Sequence, residues 1–237
     1  MPEVIKLRKG LDIKLKGTAA KELVPVKASA QYALVPDDFT GVTPKVVVSE
    51  GQIVKAGEAL FVDKKHPEVK FVSPVSGTVV AVNRGARRKV MSIVVAADGK
   101  QEFVDFGVKS VHSLNGEQVK QALMESGLFA FLRQRPYDVV ANPESRPKAV
   151  FVSAFDSAPL AIDYDFALAG DKEALQKGFD VLGRLTEGKV HLSYHAKQTA
   201  PQFSGVELHA FKGKHPAGNV GVQIHHIDPI NKGEKVW

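Results

Sequence analysis

Between residues 31 and 98 the apolar residues never recur at helical spacing. Short β-branched runs are instead cut every few positions by turn residues. The runs are Val46-Val47-Val48, Ala59–Val62, Val69–Val72, Thr78–Val82 and Val90–Val95. Between them fall Glu50-Gly51, Ala56-Gly57, Lys65–Pro67 and Ser76-Gly77. Strands of this length with glycine turns predict a small all-β unit. The glycines supply turn geometry that a residue with a Cβ resists.

Two strings in this stretch pair with each other. Glu50-Gly51-Gln52-Ile53-Val54-Lys55-Ala56-Gly57-Glu58-Ala59-Leu60 and Ser73-Pro74-Val75-Ser76-Gly77-Thr78-Val79 resemble the two halves of a biotinyl/lipoyl-like domain, a flattened barrel with quasi-twofold symmetry. In carrier domains a modified lysine sits at the hairpin tip between the halves. Here the tip is Asp63-Lys64-Lys65-His66-Pro67, and a carrier would use Lys64 or Lys65. Counting back from Pro74, the position expected to hold that lysine holds His66, and Pro67 stiffens the tip. The expectation is a charged, solvated turn with no covalently bound cofactor.

After Asp98-Gly99 the pattern changes. Ser113 reads as a helix cap, with Val119, Ala122 and Leu123 at helical spacing and Gly127 as a stop. Leu128–Tyr137 reads as a further helix ended by Pro136. Ala149–Ala154 is a continuous apolar run, as in a strand buried on both faces. Asp171 caps a helix carrying Leu175, Phe179, Leu182 and Leu185, closed by Gly188. Lys189–Tyr194 and Gly205–Phe211 read as two more strands. Strands alternating with helices predict an α/β layer on a parallel sheet. The expected division is an N-terminal arm over 1–30, a β domain over 31–100 and an α/β domain over 101–237.

Further strings follow in order: Phe61–Phe71, Val82-Asn83-Arg84-Gly85-Ala86-Arg87-Arg88, Glu125-Ser126-Gly127-Leu128-Phe129, Arg133-Gln134-Arg135-Pro136-Tyr137, Asp156-Ser157-Ala158-Pro159-Leu160-Ala161 and His215-Pro216-Ala217-Gly218. Together they resemble the A-subunit family of the bacterial Na+-translocating NADH:quinone reductases, from Lys9-Gly10-Leu11-Asp12 to Trp237. The resemblance implies an α+β multidomain chain: a biotinyl/lipoyl-like barrel-sandwich domain, then a Rossmann-like α/β domain similar to the flavin-binding subunit of respiratory complex I. It implies a longer family protein, continuing into a β-grasp domain and a helical tail. It also implies a quinone-handling subunit, not catalytic alone, in a complex that couples NADH oxidation and ubiquinone or menaquinone reduction to sodium export. NADH and flavins would be bound by other subunits. The chain would sit peripherally on the cytoplasmic face of the bacterial inner membrane, against the complex's B-type membrane subunit.

Composition tests these implications. Cysteine is absent, which removes thiolate chemistry, disulfides and Cys-ligated clusters. That counts against one rival, the C subunit of the Rnf electron-transport complex, which is expected to carry clusters and a Gly-rich nucleotide loop. The other rival is a lipoyl or biotin carrier fused to an α/β domain. No apolar run approaches the ~20 residues of a membrane helix. The net charge is +6, with the basic residues scattered apart from Lys64-Lys65 and Arg84–Lys89, which does not make a nucleic-acid signature.

A dinucleotide site needs glycines at a strand-to-helix turn. Phe155-Asp156-Ser157-Ala158-Pro159 has none, and Gly218-Asn219-Val220-Gly221 stands alone. Asp156 reads as a turn or cap residue. His225-His226, read as strand neighbours, would point to opposite faces. With His209 and His215 upstream they give no ligand spacing, so no metal is expected. A quinone needs a flat apolar slot, an aromatic face and donors for its carbonyls. Leu128–Tyr137 offers Phe131, Arg133, Arg135 and Tyr137, and Tyr32–Gly41 offers Tyr32 and Phe39. These six are the expected quinone-binding residues, near the junction of the two domains. No catalytic residue is expected.

Overall fold

The computed structural model describes residues 3–17, 19–107 and 110–237. Strand β1 (Val4–Lys6) belongs to a parallel sheet otherwise built from residues after 146. The chain then forms β2 (Gln31–Leu34), β3 (Pro44–Val46), β4 (Ile53–Val54), β5 (Ala59–Asp63), β6 (Lys70–Val72), β7 (Gly77–Arg84) and β8 (Val90–Ala97). These make two antiparallel sheets, ordered β2-β8-β7-β4 and β3-β5-β6. The two-residue period is explicit in β8: Ile93 and Val95 are fully buried, while their neighbours lie further out. Gly77 starts β7 where a Cβ would meet the carbonyl oxygen of Ala96 at 1.9 Å.

Helix α1 (Gly116–Glu125) follows, capped by Asn115 rather than Ser113. The Asn115 side chain accepts from the Gln118 amide, and the Gln118 side chain accepts from the Asn115 amide, a reciprocal capping box. Ser113 lies in a short 3-10 turn just before it.

The helix expected over 128–137 does not form. Leu128–Phe131 is a single 3-10 turn, after which β9 (Arg133–Gln134) and β10 (Val139–Val140) make a tight hairpin. Contacts outside the turn oppose a longer helix. Phe129 is fully buried on one side of the turn, and Arg133 is drawn across the hairpin to Asp138.

Residues 101–145 therefore stay with the β sheets. Ala56 bonds to the backbone of Glu102 and Val104, and Gly127, at φ 78°, packs where a Cβ would meet Val72. One compact unit is Pro25–Ser145, and the other joins the residues up to Val24 with Arg146–Trp237. The expected boundary near 100 and a separate arm over 1–30 differ from this division. The 128–131 turn packs on β6, Glu102 and Val104 bond to Ala56, and β1 pairs with β13.

In the α/β unit, β11 (Val150–Ser153), β12 (Val190–His195) and β13 (Glu207–Lys212) join β1 in an all-parallel sheet ordered β1-β13-β12-β11. Helices α2 (Tyr164–Ala167), α3 (Lys172–Gly183) and α4 (Val220–Ile227) connect or cover it. Phe179 buries one face of α3. Ile224 of α4 packs with Ala149, Phe151 and Val236. The last residues pair with β11: Phe151 N donates to Trp237 O at 2.7 Å and Trp237 N to Ala149 O at 3.1 Å. His225-His226 lie on α4, not on a strand. Asn219 caps that helix by accepting from the Gly221 amide, which the β-branched sequence that follows gave no reason to expect.

Candidate functional site

The β-rich unit brings two of the expected segments together. Val140 N donates to Thr40 O at 2.9 Å, and Gly41, at φ 89°, lets the chain pass Val139 where a Cβ would come within 2.9 Å. In the same unit runs a series of phenylalanine rings. Phe61 and Phe71 are fully buried and stacked, with centroids 4.4 Å apart at 8°. Phe39 meets Phe71 edge-on at 4.6 Å, and Phe131 follows at 6.4 Å from Phe39. Phe131 is 72% exposed, so the series leads from the core to the surface.

Beside the outer ring lies a charged hairpin. Arg133 Nε donates to Asp138 Oδ1 at 3.1 Å, and Arg133 also donates to the Asp138 carbonyl at 2.7 Å and to Thr40 Oγ1 at 3.4 Å. Arg135 lies 3.4 Å from the same carboxylate. The Arg133 hydrogen bond, helped by the charge of Arg135, holds the Asp138 carboxyl below the usual carboxylate range against the opposing effect of burial. Asp138 adopts φ 54°, a left-handed turn that folds its carboxylate back over both guanidinium groups.

Of the six residues expected to bind quinone, Phe39, Phe131, Arg133 and Arg135 gather here. Tyr137 sits at the hairpin tip, 81% exposed. Tyr32 is half-buried on β2 in register with Val95, and the contacts that join the other residues do not include it. All six belong to the same unit.

A cavity of about 280 Å³ is lined by Gly41 and Val42 of the turn before β3, by Asp63, Lys65 and His66, and by Gln134 and Val139–Pro143. None of the six expected residues lines it. It joins the hairpin tip between β5 and β6 to the 134–143 segment, a pairing that no local spacing could reveal. Asp63 is buried and organises that tip, its carboxylate accepting from Thr43 N at 3.1 Å and Lys65 N at 3.3 Å. Lys64 N donates to Thr43 O at 2.7 Å. On the opposite wall, Gln134 Oε1 accepts from Ser145 Oγ at 2.9 Å. The tip is thus tied to its own sheet at two backbone amides.

In the α/β unit, Asp156 accepts from Ala158 N at 2.8 Å, a turn role. Gly218 lies where a Cβ would meet Ser157 N at 2.3 Å, so its glycine serves close packing of the turn before α4 against the turn after β11. Ser157 Oγ accepts from Gly218 N and contacts His215 Nδ1 at 3.1 Å. The sheet also assembles a group that sequence spacing missed. His191, Glu207 and His209 each offer a donor atom, all within 4.8 Å of one another.

Residues 5–98 match the family model of the NqrA N-terminal barrel-sandwich hybrid domain, and residues 114–237 match that of the NqrA second alpha/beta domain. The chain belongs to the NqrA family. Its relatives include proteins of Yersinia pseudotuberculosis serotype O:1b (39% identical over 99% of this chain and 53% of the relative). Those of Serratia proteamaculans (41%, 99% and 54%) and Photorhabdus laumondii subsp. laumondii (40%, 99% and 53%) are similar. Each is described as the A-type subunit of a Na(+)-translocating NADH-quinone reductase. The chain spans about half the length of these NqrA relatives. The break between the two matched segments falls within 99–113, whereas one compact unit runs on to Ser145: the 128–131 turn packs on β6 and Val140 bonds to Thr40. Among the described residues no helix is long and apolar enough to cross a membrane.

Proposed function

We propose that the chain supplies quinone contacts to a Na+-translocating NADH:quinone reductase, through the aromatic and cationic surface formed by residues 39–42 and 128–140. One observation carries this reading. An exposed ring, Phe131, is backed by Phe39 and the buried Phe61–Phe71 pair, and stands beside two guanidinium groups held by Asp138. A planar quinone head stacks on such a ring, and Arg133 and Arg135 are donors for its carbonyl oxygens. The isoprenoid tail would follow the apolar surface. Tyr32 and Tyr137 belong to the same proposal as flanking residues.

In this reading the chain binds no cofactor covalently, and electrons arrive from flavins and NADH held by other subunits. The α/β unit is a Rossmann-like relative of the complex I flavin-binding subunit in which Gly218 packs against backbone instead of a phosphate. The B-type membrane subunit is the partner, on the cytoplasmic face of the bacterial inner membrane, and the assembly couples quinone reduction to sodium export. Photo-crosslinking with a quinone analogue, followed by peptide mapping, tests the site. Labels in 32–41 and 128–140 are expected, and labels confined to other segments would rule it out.

A further inference from the structure

Strands β12 and β13 run parallel with His191 in register with Glu207 and Ser193 in register with His209. Residues two apart on a strand share a face, so Glu207 and His209 stand on the same side of β13, and His191 joins them from β12. The face is partly covered: Phe151 stacks on His191 at 4.7 Å and itself packs with Ile224 of α4. His191 is 5% exposed, and Glu207 and His209 are half-buried.

We propose that His191, Glu207 and His209 form a binding site for a divalent transition ion of the zinc class, with the remaining coordination position open to water or another small ligand. The donor set is two imidazole nitrogens and a carboxylate oxygen, the intermediate donors that such ions select over magnesium or calcium. The spacing agrees. His191 Nδ1 lies 2.9 Å from His209 Nε2 and 3.4 Å from Glu207 Oε2. Metal–nitrogen and metal–oxygen bonds of about 2.0–2.1 Å place tetrahedral donors about 3.3 Å apart. An ion therefore requires the two rings to part by only about 0.4 Å.

Without an ion the imidazoles share a hydrogen bond, one ring donating and the other accepting. Burial holds both in the neutral form that also binds metal, pushing each below its ordinary value. Lys189 is the competing group: its ammonium is paired with Glu207 Oε1, while Oε2 faces His191. Ser193 stands on the same face of β12 as His191. Its buried hydroxyl has no hydrogen-bond partner among the described residues, and a water held at the open position is a partner of suitable chemistry.

The test uses the full chain without a polyhistidine tag, stripped by a chelator and titrated with Co2+ and Zn2+. One Co2+ per chain with the visible absorption of a four-coordinate ion, displaced by Zn2+, is expected. His209→Gln and Glu207→Gln should each weaken binding more than about tenfold, with far-UV circular dichroism unchanged. Replacing both His225 and His226 by glutamine should leave binding intact, and Lys189→Met should tighten it. Absence of stoichiometric binding overturns the proposal. So does binding that survives His209→Gln, or binding lost only with His225 and His226.

Discussion

Replacing Phe71 by alanine removes the ring that joins the buried core of the β-rich unit to its exposed aromatic surface. Phe71 is 1% exposed, stacks on Phe61 at 4.4 Å and meets the edge of Phe39 at 4.6 Å. Truncating a buried phenylalanine costs about 3–5 kcal/mol. The two ring contacts, each about 0.5–1.5 kcal/mol beyond buried area, place this site in the upper half of that range. Leucine refills most of the volume and loses mainly the ring contacts, so Phe71→Leu should cost about 1–2 kcal/mol. Set against a typical domain stability of ~5–15 kcal/mol, the alanine variant removes roughly a quarter to most of it. A loss of about 4 kcal/mol raises the open population roughly a thousandfold. Hydrogen exchange read by mass spectrometry should therefore show the amides of β5 and β6 exchanging about a thousandfold faster in Phe71→Ala. Equal costs for alanine and leucine, or a cost below about 1.5 kcal/mol for alanine, would refute the reasoning that the ring stack holds this core.

Other expectations follow from single contacts. Phe131→Ala and Arg133→Ala should each weaken quinone binding about tenfold or more by calorimetry, with little change in thermal stability for the exposed Phe131; unchanged affinity in both would remove this surface from the site. Gly77→Ala should cost ~3 kcal/mol or more in urea unfolding, because its Cβ would meet the Ala96 carbonyl at 1.9 Å and only separation of β7 from β8 relieves it. Lys148 is held by Asp228 and Glu234, both at 2.7 Å, which raises the lysine pKa and helps lower that of Glu234. The raised lysine contributes stability fully below about pH 10.4, lost as pH rises through its folded value, and the depressed Glu234 contributes above about pH 4.3, lost as pH falls through its folded value. Trp237 fluorescence against pH should show both losses, and Lys148→Met should flatten the alkaline one.

The barrel-sandwich region was legible because its information is local. Glycines fall where the chain turns, and β-branched residues alternate with them, so β5 to β8 appear where the pattern puts them. The same holds for β11 to β13 and for α3, whose apolar spacing is long enough to define a face. Part of the candidate site was legible too: Phe39, Phe131, Arg133 and Arg135 could be chosen by residue type. Segment 128–137 carries no local signal against a helix, because an aromatic run does not distinguish one 3-10 turn from several helical turns. The deciding groups, Val72 beneath Gly127 and Asp138 beyond the turn, act across space.

The sequence by itself determined the family, the two classes of layer and the chemistry excluded by the absence of cysteine, since each depends on residue identity or short-range order. Only the tertiary structure decided how the segments are shared between the units. It carried β1 across more than 200 residues to pair with β13, and set the 128–131 turn against β6. It also set His191 opposite Glu207 and His209. Strand register places those three side chains within reach of one ion, and register is fixed by the packing of the whole sheet rather than by the spacing of histidines along the chain.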